Sequence, residues 1–243
     1  GYAEYCKVFN KHVLPIPKGM NFNEATAIPE NFFTVWYNLF ERGQIKKSDT
    51  ILIHGGSSGI GTAAIQLCKV HGCKVITTVG NKKKQLYCKK LGADLAIDYN
   101  KSNFLEVITK YTKNKGVDII LDMVGQKYFE KNILLLKDKG KLIMIAFLSG
   151  SITKADFTAI MTKRLTLTGS TLRPRSDQEK AKIAKNLHKS YWTAITKKTI
   201  KPSIYKIFNL KDAFKAHKLM ESSKHLGKII LKMLYKNMKK ERL

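Results

Sequence analysis

The sequence predicts an α/β fold in which a parallel sheet is covered by helices on both faces. Three observations carry that reading. Short β-branched runs alternate with amphipathic helical patterns through the middle of the chain. Several runs are apolar on both faces, as strands between two helical layers must be. One of them, Thr50-Ile51-Leu52-Ile53-His54, leads directly into a glycine-rich turn and then a helical pattern.

Taken in order, residues 1–25 read as a strand plus loop, because Pro15 and Pro17 interrupt any helix there. The expected strands then run over 50–54, 74–79, 95–98, 117–123, 141–147 and 165–169. The helical patterns between them cover 59–70, 82–91, 102–111, 127–136 and 155–162. Together these describe a doubly wound, Rossmann-type domain over residues 26–172. Beyond it, Ser176-Asp177-Gln178-Glu179 has the spacing of a capping box and opens a long basic helix to about Lys197. A short run at 204–208, a helix over 211–222 and a strand over 227–231 follow, and the charged stretch Tyr235 to Leu243 reads as a frayed tail. Segments 1–25 and 173–243 have no core of their own. They are expected to be remnants of a second domain, most of which lies outside this sequence.

Composition narrows the classes. The 243 residues are 44% apolar and 26% charged, which suits a chain that buries a core rather than a disordered one. No apolar run approaches the ~20 residues of a membrane-spanning helix. The chain starts at Gly1 without signal-peptide anatomy and is expected to be incomplete. Cys6, Cys68, Cys73 and Cys88 form neither a CxxC pair nor a zinc-knuckle spacing, which fits a reducing, cytoplasmic setting. The net charge of +27 raises the question of polyanions. Only five of the 45 cations are Arg, the better reader of phosphate and bases, so nonspecific, salt-sensitive polyanion binding is expected rather than specific nucleic-acid recognition.

The most informative stretch is His54-Gly55-Gly56-Ser57-Ser58-Gly59-Ile60-Gly61. A strand, a turn of small residues and a helix start let backbone N–H groups approach a pyrophosphate; the plainer alternative is a tight turn with no ligand. NAD-binding folds place Asp or Glu at the end of the next strand, about 20 residues on, to hold the ribose 2′-hydroxyl. Here that strand ends in Gly80-Asn81-Lys82-Lys83-Lys84, with no carboxylate and three cations. This favours NADPH, although a lysine triplet in so lysine-rich a chain also arises by chance. The loop would equally suit short-chain dehydrogenases. Those start near the loop and carry a downstream Tyr-x-x-x-Lys, and the formal matches at Tyr111 and Tyr235 fall in the wrong places.

Across its length the chain resembles the medium-chain dehydrogenase/reductase superfamily, in its zinc-free NADPH:quinone oxidoreductase (zeta-crystallin-like) branch. The resemblance rests on Gly1-Tyr2-Ala3-Glu4-Tyr5, Ala25 to Glu30, His54 to Gln66, Lys90 to Asp94, Gly116 to Gly125, Gly169 to Arg173 and His217 to Leu231. It implies that the flanks are remnants of a GroES-like β-rich domain. It also implies that Ser57, Ser58, Gly59 and Ile60 cradle the pyrophosphate, and that Gly80, Lys84 and Tyr99 hold the adenosine ribose and its 2′-phosphate. Val124 and Gly125 would flank the adenosine side. Thr34, Phe147 and Ser149, with Leu172 and Arg173 beside them, would approach the nicotinamide. One departure is notable: the family loop commonly has Ala and Gly where this chain has Gly55 and Ser58.

Each assignment has a structural rival. Thr34 would otherwise cap a turn in a buried helix, Tyr99 would be a surface ring, and Arg173 would serve an ion pair. His54 reads as a satisfied structural histidine. Where zinc dehydrogenases of the superfamily carry a ligand Cys, this chain has Glu30, so no metal is expected. The resemblance implies hydride transfer from NADPH to a quinone or conjugated carbonyl, by a homodimer joined along the strand at 164–170. No residue here is assigned as catalytic. An enoyl reductase acting on enoyl thioesters or alkenals is the alternative within the same chemistry. An NADPH-responsive RNA-binding protein is the alternative from another class.

Overall fold

A computed structural model describes residues 2–233. Its strands are β1 (Thr50–His54), β2 (Lys74–Val79), β3 (Leu95–Asp98), β4 (Val117–Asp122), β5 (Leu136–Met144), β6 (Thr166–Gly169), β7 (Ile204–Asn209) and β8 (Lys228–Lys232). Its helices are α1 (Phe22–Thr26), α2 (Pro29–Val35), α3 (Gly59–His71), α4 (Lys82–Lys90), α5 (Phe104–Tyr111), α6 (Phe129–Leu135), α7 (Thr158–Thr162), α8 (Asp177–Thr196) and α9 (Ala213–Glu221). Strands β1 to β6 form one sheet in the order β3-β2-β1-β4-β5-β6, with every neighbouring pair parallel. The order reverses between β1 and β4. At such a switch point the loops diverge and leave a crevice at the carboxyl ends of the strands.

The two-residue period of the strands divides the core. Ile51, Ile53, Val75, Leu121 and Ile143 face one layer, while Leu52, Ile76, Ile97, Ile120 and Leu142 face the other. The first layer contains Phe32 and Val35 of α2 and Ala64, Ile65 and Cys68 of α3. It also takes Ile183, Leu187 and Ile195 of α8, so this helix packs on the six-stranded sheet although it follows residue 172. The second layer contains Phe104 and Ile108 of α5 and Ile133 of α6. Helix starts follow local chemistry. Ser176 and Glu179 make the reciprocal capping box of α8, and Asn81 Oδ1 accepts the Lys84 N–H at the start of α4.

Several expected boundaries shift. Residues 2–25 contain a 3₁₀ turn at Asn10–His12 and the short helix α1, not a strand. A strand needs a neighbour for its N–H and C=O groups, and no described strand pairs with this segment. The helix expected over 127–136 divides into a 3₁₀ turn, Gln126–Tyr128, and α6. Strand β5 begins at Leu136 and ends at Met144, with a register shift opposite Val117 and Ile119. Helix α7 is shorter than the 155–162 pattern, starting at Thr158. Strands β7 and β8 form a separate parallel pair linked by α9. The pair is stitched to the glycine turn by the Gly227 N–H, which donates to the Ser57 carbonyl at 2.8 Å. The expected tail, Tyr235 to Leu243, lies outside the described residues.

Candidate functional site

The turn after β1 is built for close approach. Gly55 has φ of +70°, a conformation that L side chains rarely adopt, and a Cβ on Gly61 would lie 2.3 Å from the Gly55 carbonyl oxygen. Helix α3 therefore packs against the turn only because position 61 has no side chain. Ser58 sits at φ −71°, ψ 170° with Oγ accepting the Gly61 N–H at 2.9 Å. The departure from the family glycine thus needs no special backbone conformation, and its hydroxyl caps the helix. The first-turn N–H groups of Gly59 and Ile60 have no intrahelical acceptor and sit at the positive end of α3, an arrangement that suits an anion. Ser57 is buried, with its carbonyl held by Gly227.

The turns after β2 and β3 meet beside it. A Cβ on Gly80 would lie 2.7 Å from the Tyr99 hydroxyl, and Asn100 Nδ2 donates to the Gly80 carbonyl at 2.7 Å. Gly80 and Tyr99 are therefore in contact, and Tyr99 is half exposed. Lys84 lies in the first turn of α4, and its Nζ donates to the Ser223 carbonyl at 2.5 Å. Burial pulls the Lys84 pKa down from the usual lysine value, with the neighbouring Cys88 thiol opposing the shift.

Across the switch point, Asp122 accepts the N–H groups of Val124 (2.7 Å) and Gly125 (3.1 Å). Ser149 Oγ donates to the Val124 carbonyl at 2.8 Å and accepts the Lys127 N–H at 3.0 Å. A Cβ on Gly125 would meet the half-exposed Phe147 ring at 2.9 Å, so Val124, Gly125, Phe147 and Ser149 form one cluster. Thr34, Ile60, Leu172 and Arg173 line a separate cavity of about 660 Å³, together with Ile145 and Lys180. Arg173 makes no ion pair among the described residues. The Thr34 carbonyl accepts a hydrogen bond from Asn38 Nδ2. Glu30 pairs with Lys228 Nζ at 2.9 Å. No group of three His, Cys, Asp or Glu side chains that would hold a metal ion occurs among the described residues.

Beneath the turns lies a polar chain in which sequence reasoning saw only His54. His54, fully buried at the end of β1, reaches Thr78 Oγ1 (2.9 Å) and Asn132 Oδ1 (2.8 Å), and Asn132 Nδ2 donates to Asp122 (3.3 Å). Desolvation depresses the His54 pKa, against the pull of Asp122 and the Asn132 hydrogen bond. The partners are 24 and 78 residues away in sequence, so no local motif marks them.

Residues 59–188, more than half of the chain, match the family model described as zinc-binding dehydrogenase. The chain belongs to this family. Quinone oxidoreductase of Rattus norvegicus is 28% identical over 232 residues, covering 95% of this chain and 69% of that protein. An NAD-dependent alcohol dehydrogenase superposes with a TM-score of 0.84 at 28% identity, covering 95% of this chain and 64% of the other. Escherichia coli quinone oxidoreductase complexed with NADPH gives 0.79 at 28% identity, covering 89% and 67%. The chain thus spans about two thirds of the length of these relatives. The two structures name different coenzymes, so overall fold does not decide between them.

Proposed function

We propose that this chain supplies the coenzyme crevice of a zinc-independent, NADPH-dependent oxidoreductase that delivers hydride to quinones or similar conjugated carbonyls. The observation that carries the reading is the corner after β2. No carboxylate stands at the end of that strand to accept a ribose 2′-hydroxyl; Gly80 there touches the Tyr99 hydroxyl, and Lys84 follows in the first turn of α4. NADPH, when bound, supplies the hydride. The chain's own residues would bind and orient it: the first-turn N–H groups of α3 would hold the pyrophosphate, and Tyr99 and Lys84 the 2′-phosphate. Lys84 spends one of its three donors on Ser223, leaving two for a phosphate. Thr34, Ile60, Leu172 and Arg173 shape the cavity for the nicotinamide end and a flat acceptor, where exclusion of water strengthens every electrostatic contact. By the resemblance, Glu30, paired with Lys228, stands where zinc dehydrogenases of the superfamily carry a ligand cysteine. The relatives called quinone oxidoreductases support the acceptor class. A homodimer joined along β6, one of the two edge strands of the sheet, completes the reading.

The test is a titration of both coenzymes against the protein and its Lys84→Ala variant. NADPH is expected to bind more tightly than NADH. The variant is expected to lose about tenfold in NADPH affinity, roughly the worth of one charge-assisted phosphate contact, with NADH unchanged. A preference for NADH, or a variant indistinguishable from the parent, overturns the assignment. Turnover of a quinone against an enoyl thioester then separates the two acceptor chemistries.

A further inference from the structure

The buried chain beneath the glycine turn has one internally consistent direction. Asp122 is the charged acceptor at one end, and it also receives the amides of Val124 and Gly125. A carboxylate that accepts from Asn132 fixes which end of that amide is nitrogen, so Asn132 presents its Oδ1 to His54. An amide oxygen only accepts, so His54 Nε2 carries the proton. A neutral imidazole with its proton on Nε2 leaves Nδ1 as an acceptor, and Thr78 Oγ1 donates to it. Every donor and acceptor that the four side chains direct at one another is then used, as buried polar groups require. The surroundings suit a neutral ring. Asp122 is the charged group facing it, Phe104 of α5 and Tyr128 ahead of α6 pack against it at centroid distances of 5.2 and 4.8 Å, and Lys131 lies beyond, over the Phe104 ring.

The ends of this chain matter more than its middle. His54 immediately precedes Gly55. Thr78 is two residues before Gly80, and its carbonyl receives the Gly56 N–H at 3.1 Å. Asp122 holds the turn at Val124 and Gly125. The chain therefore ties together the three turns, after β1, β2 and β4, that line the crevice across the switch point.

We propose that His54, as its Nε2–H tautomer, is a positioning residue: together with Thr78, Asn132 and Asp122 it sets the three turns in the arrangement that a dinucleotide requires. The inference rests on the coenzyme reading above, and its failure is distinguishable from failure of that reading. Lys84→Ala moves NADPH alone. Breaking the chain displaces turns that touch both coenzymes and is expected to weaken NADPH and NADH together.

The experiment uses three variants of the protein. His54→Leu and the near-isosteric Thr78→Val each remove one link, and His54→Gln restores a donor toward Asn132. With circular dichroism confirming an intact fold, His54→Leu and Thr78→Val are expected to lose roughly tenfold in affinity for both coenzymes, the scale of one buried hydrogen bond, and His54→Gln to stay within about threefold of the parent. In the parent, ¹⁵N-resolved imidazole spectra are expected to show the proton on Nε2 and none on Nδ1. A folded Thr78→Val or His54→Leu protein with parental affinities overturns the inference, as does a proton found on Nδ1 alone. A parent that binds neither coenzyme overturns the functional reading itself.

Discussion

The molecule contains two parallel sheets of very different quality. In the six-stranded sheet every residue of β1 is buried, and helices from both sides cover β1, β2 and β4. The β7–β8 pair is also parallel and has its own crossover helix, yet among its residues only Ile230 is buried, while Tyr205 and Ile207 are exposed. Both regions pair as parallel ladders, each with one register shift. What separates them is the second layer: parallel strands read as apolar on both faces because both faces are normally covered, and β7–β8 has no such cover among the described residues. Pairing alone makes a sheet; burial on both faces makes a core.

The sharpest way to break this contrast is to remove the same side chain from each region. Ile120, fully buried at the centre of β4, is expected to cost about 3 kcal/mol on replacement by Ala, through lost transfer energy and the cavity left behind. Ile207→Ala in β7 is expected to stay within about 0.5 kcal/mol. Urea unfolding of the two variants checks both numbers, and equal losses would mean that β7–β8 is as well packed as the main sheet.

A second substitution separates stability from binding at the turn where the regions meet. In Gly61→Ala the new Cβ falls 2.3 Å from the Gly55 carbonyl and 2.6 Å from Gly56 Cα, both backbone atoms that have no rotamer by which to move aside. The turn has to open, and coenzyme affinity is expected to fall by at least about 30-fold, equivalent to roughly 2 kcal/mol. Gly19, with nothing within 4 Å of its virtual Cβ, marks the contrast: Gly19→Asn, which tolerates its positive φ, leaves affinity unchanged.

How much of this was legible follows from distance in sequence. The β-branched runs, the glycine turn and the Ser176 capping box declare themselves within ten residues, and α8 and the strands of the main sheet other than β5 fall within a residue or two of where they are expected. The N-terminal strand was misread because its extended, proline-broken pattern says nothing about whether a partner strand exists. Residue pairs distant in the chain stayed invisible. Nothing near Lys84 announces a bond to a carbonyl 139 residues on, and nothing near His54 announces Asn132. His54 itself was correctly read as structurally satisfied; its ties to three crevice turns became visible only with the topology that brings β1, β2, β4 and α6 together.

Acid should probe the interior of the main sheet more than the flank. His54 has a depressed folded-state pKa, so below the ordinary imidazole value of about 6.5 the unfolded chain binds more protons than the folded one. Stability contributed by the neutral ring is therefore complete above that pH and lost as pH falls below it, at no more than about 1.4 kcal/mol per pH unit for one group. His225, depressed by burial and by Lys84, adds to the same slope. The urea midpoint is expected to fall between pH 7.5 and 5.5, and less steeply in His54→Gln.

The smallest expected effect lies on the seam itself. Ser58 serves two masters: its Oγ caps α3 of the main sheet, and its backbone bridges to Gly227 at the start of the flanking pair. Ser58→Ala deletes the cap and leaves the bridge, so it should cost about 1 kcal/mol, the usual worth of an N-cap. Ser58→Gly, which restores the residue common in the family, should cost only a few tenths, because a glycine N-cap leaves the first-turn N–H groups open to water. Coenzyme affinity in Ser58→Gly is expected to match the parent, since φ −71° and ψ 170° are open to glycine and serine alike. A loss near 1 kcal/mol in Ser58→Ala without any change in the protection of Gly227 from hydrogen exchange would show that the flank is held by its backbone bond to Ser57 rather than by the rigidity of α3. A parallel loss of that protection would instead show the cap supporting both regions at once.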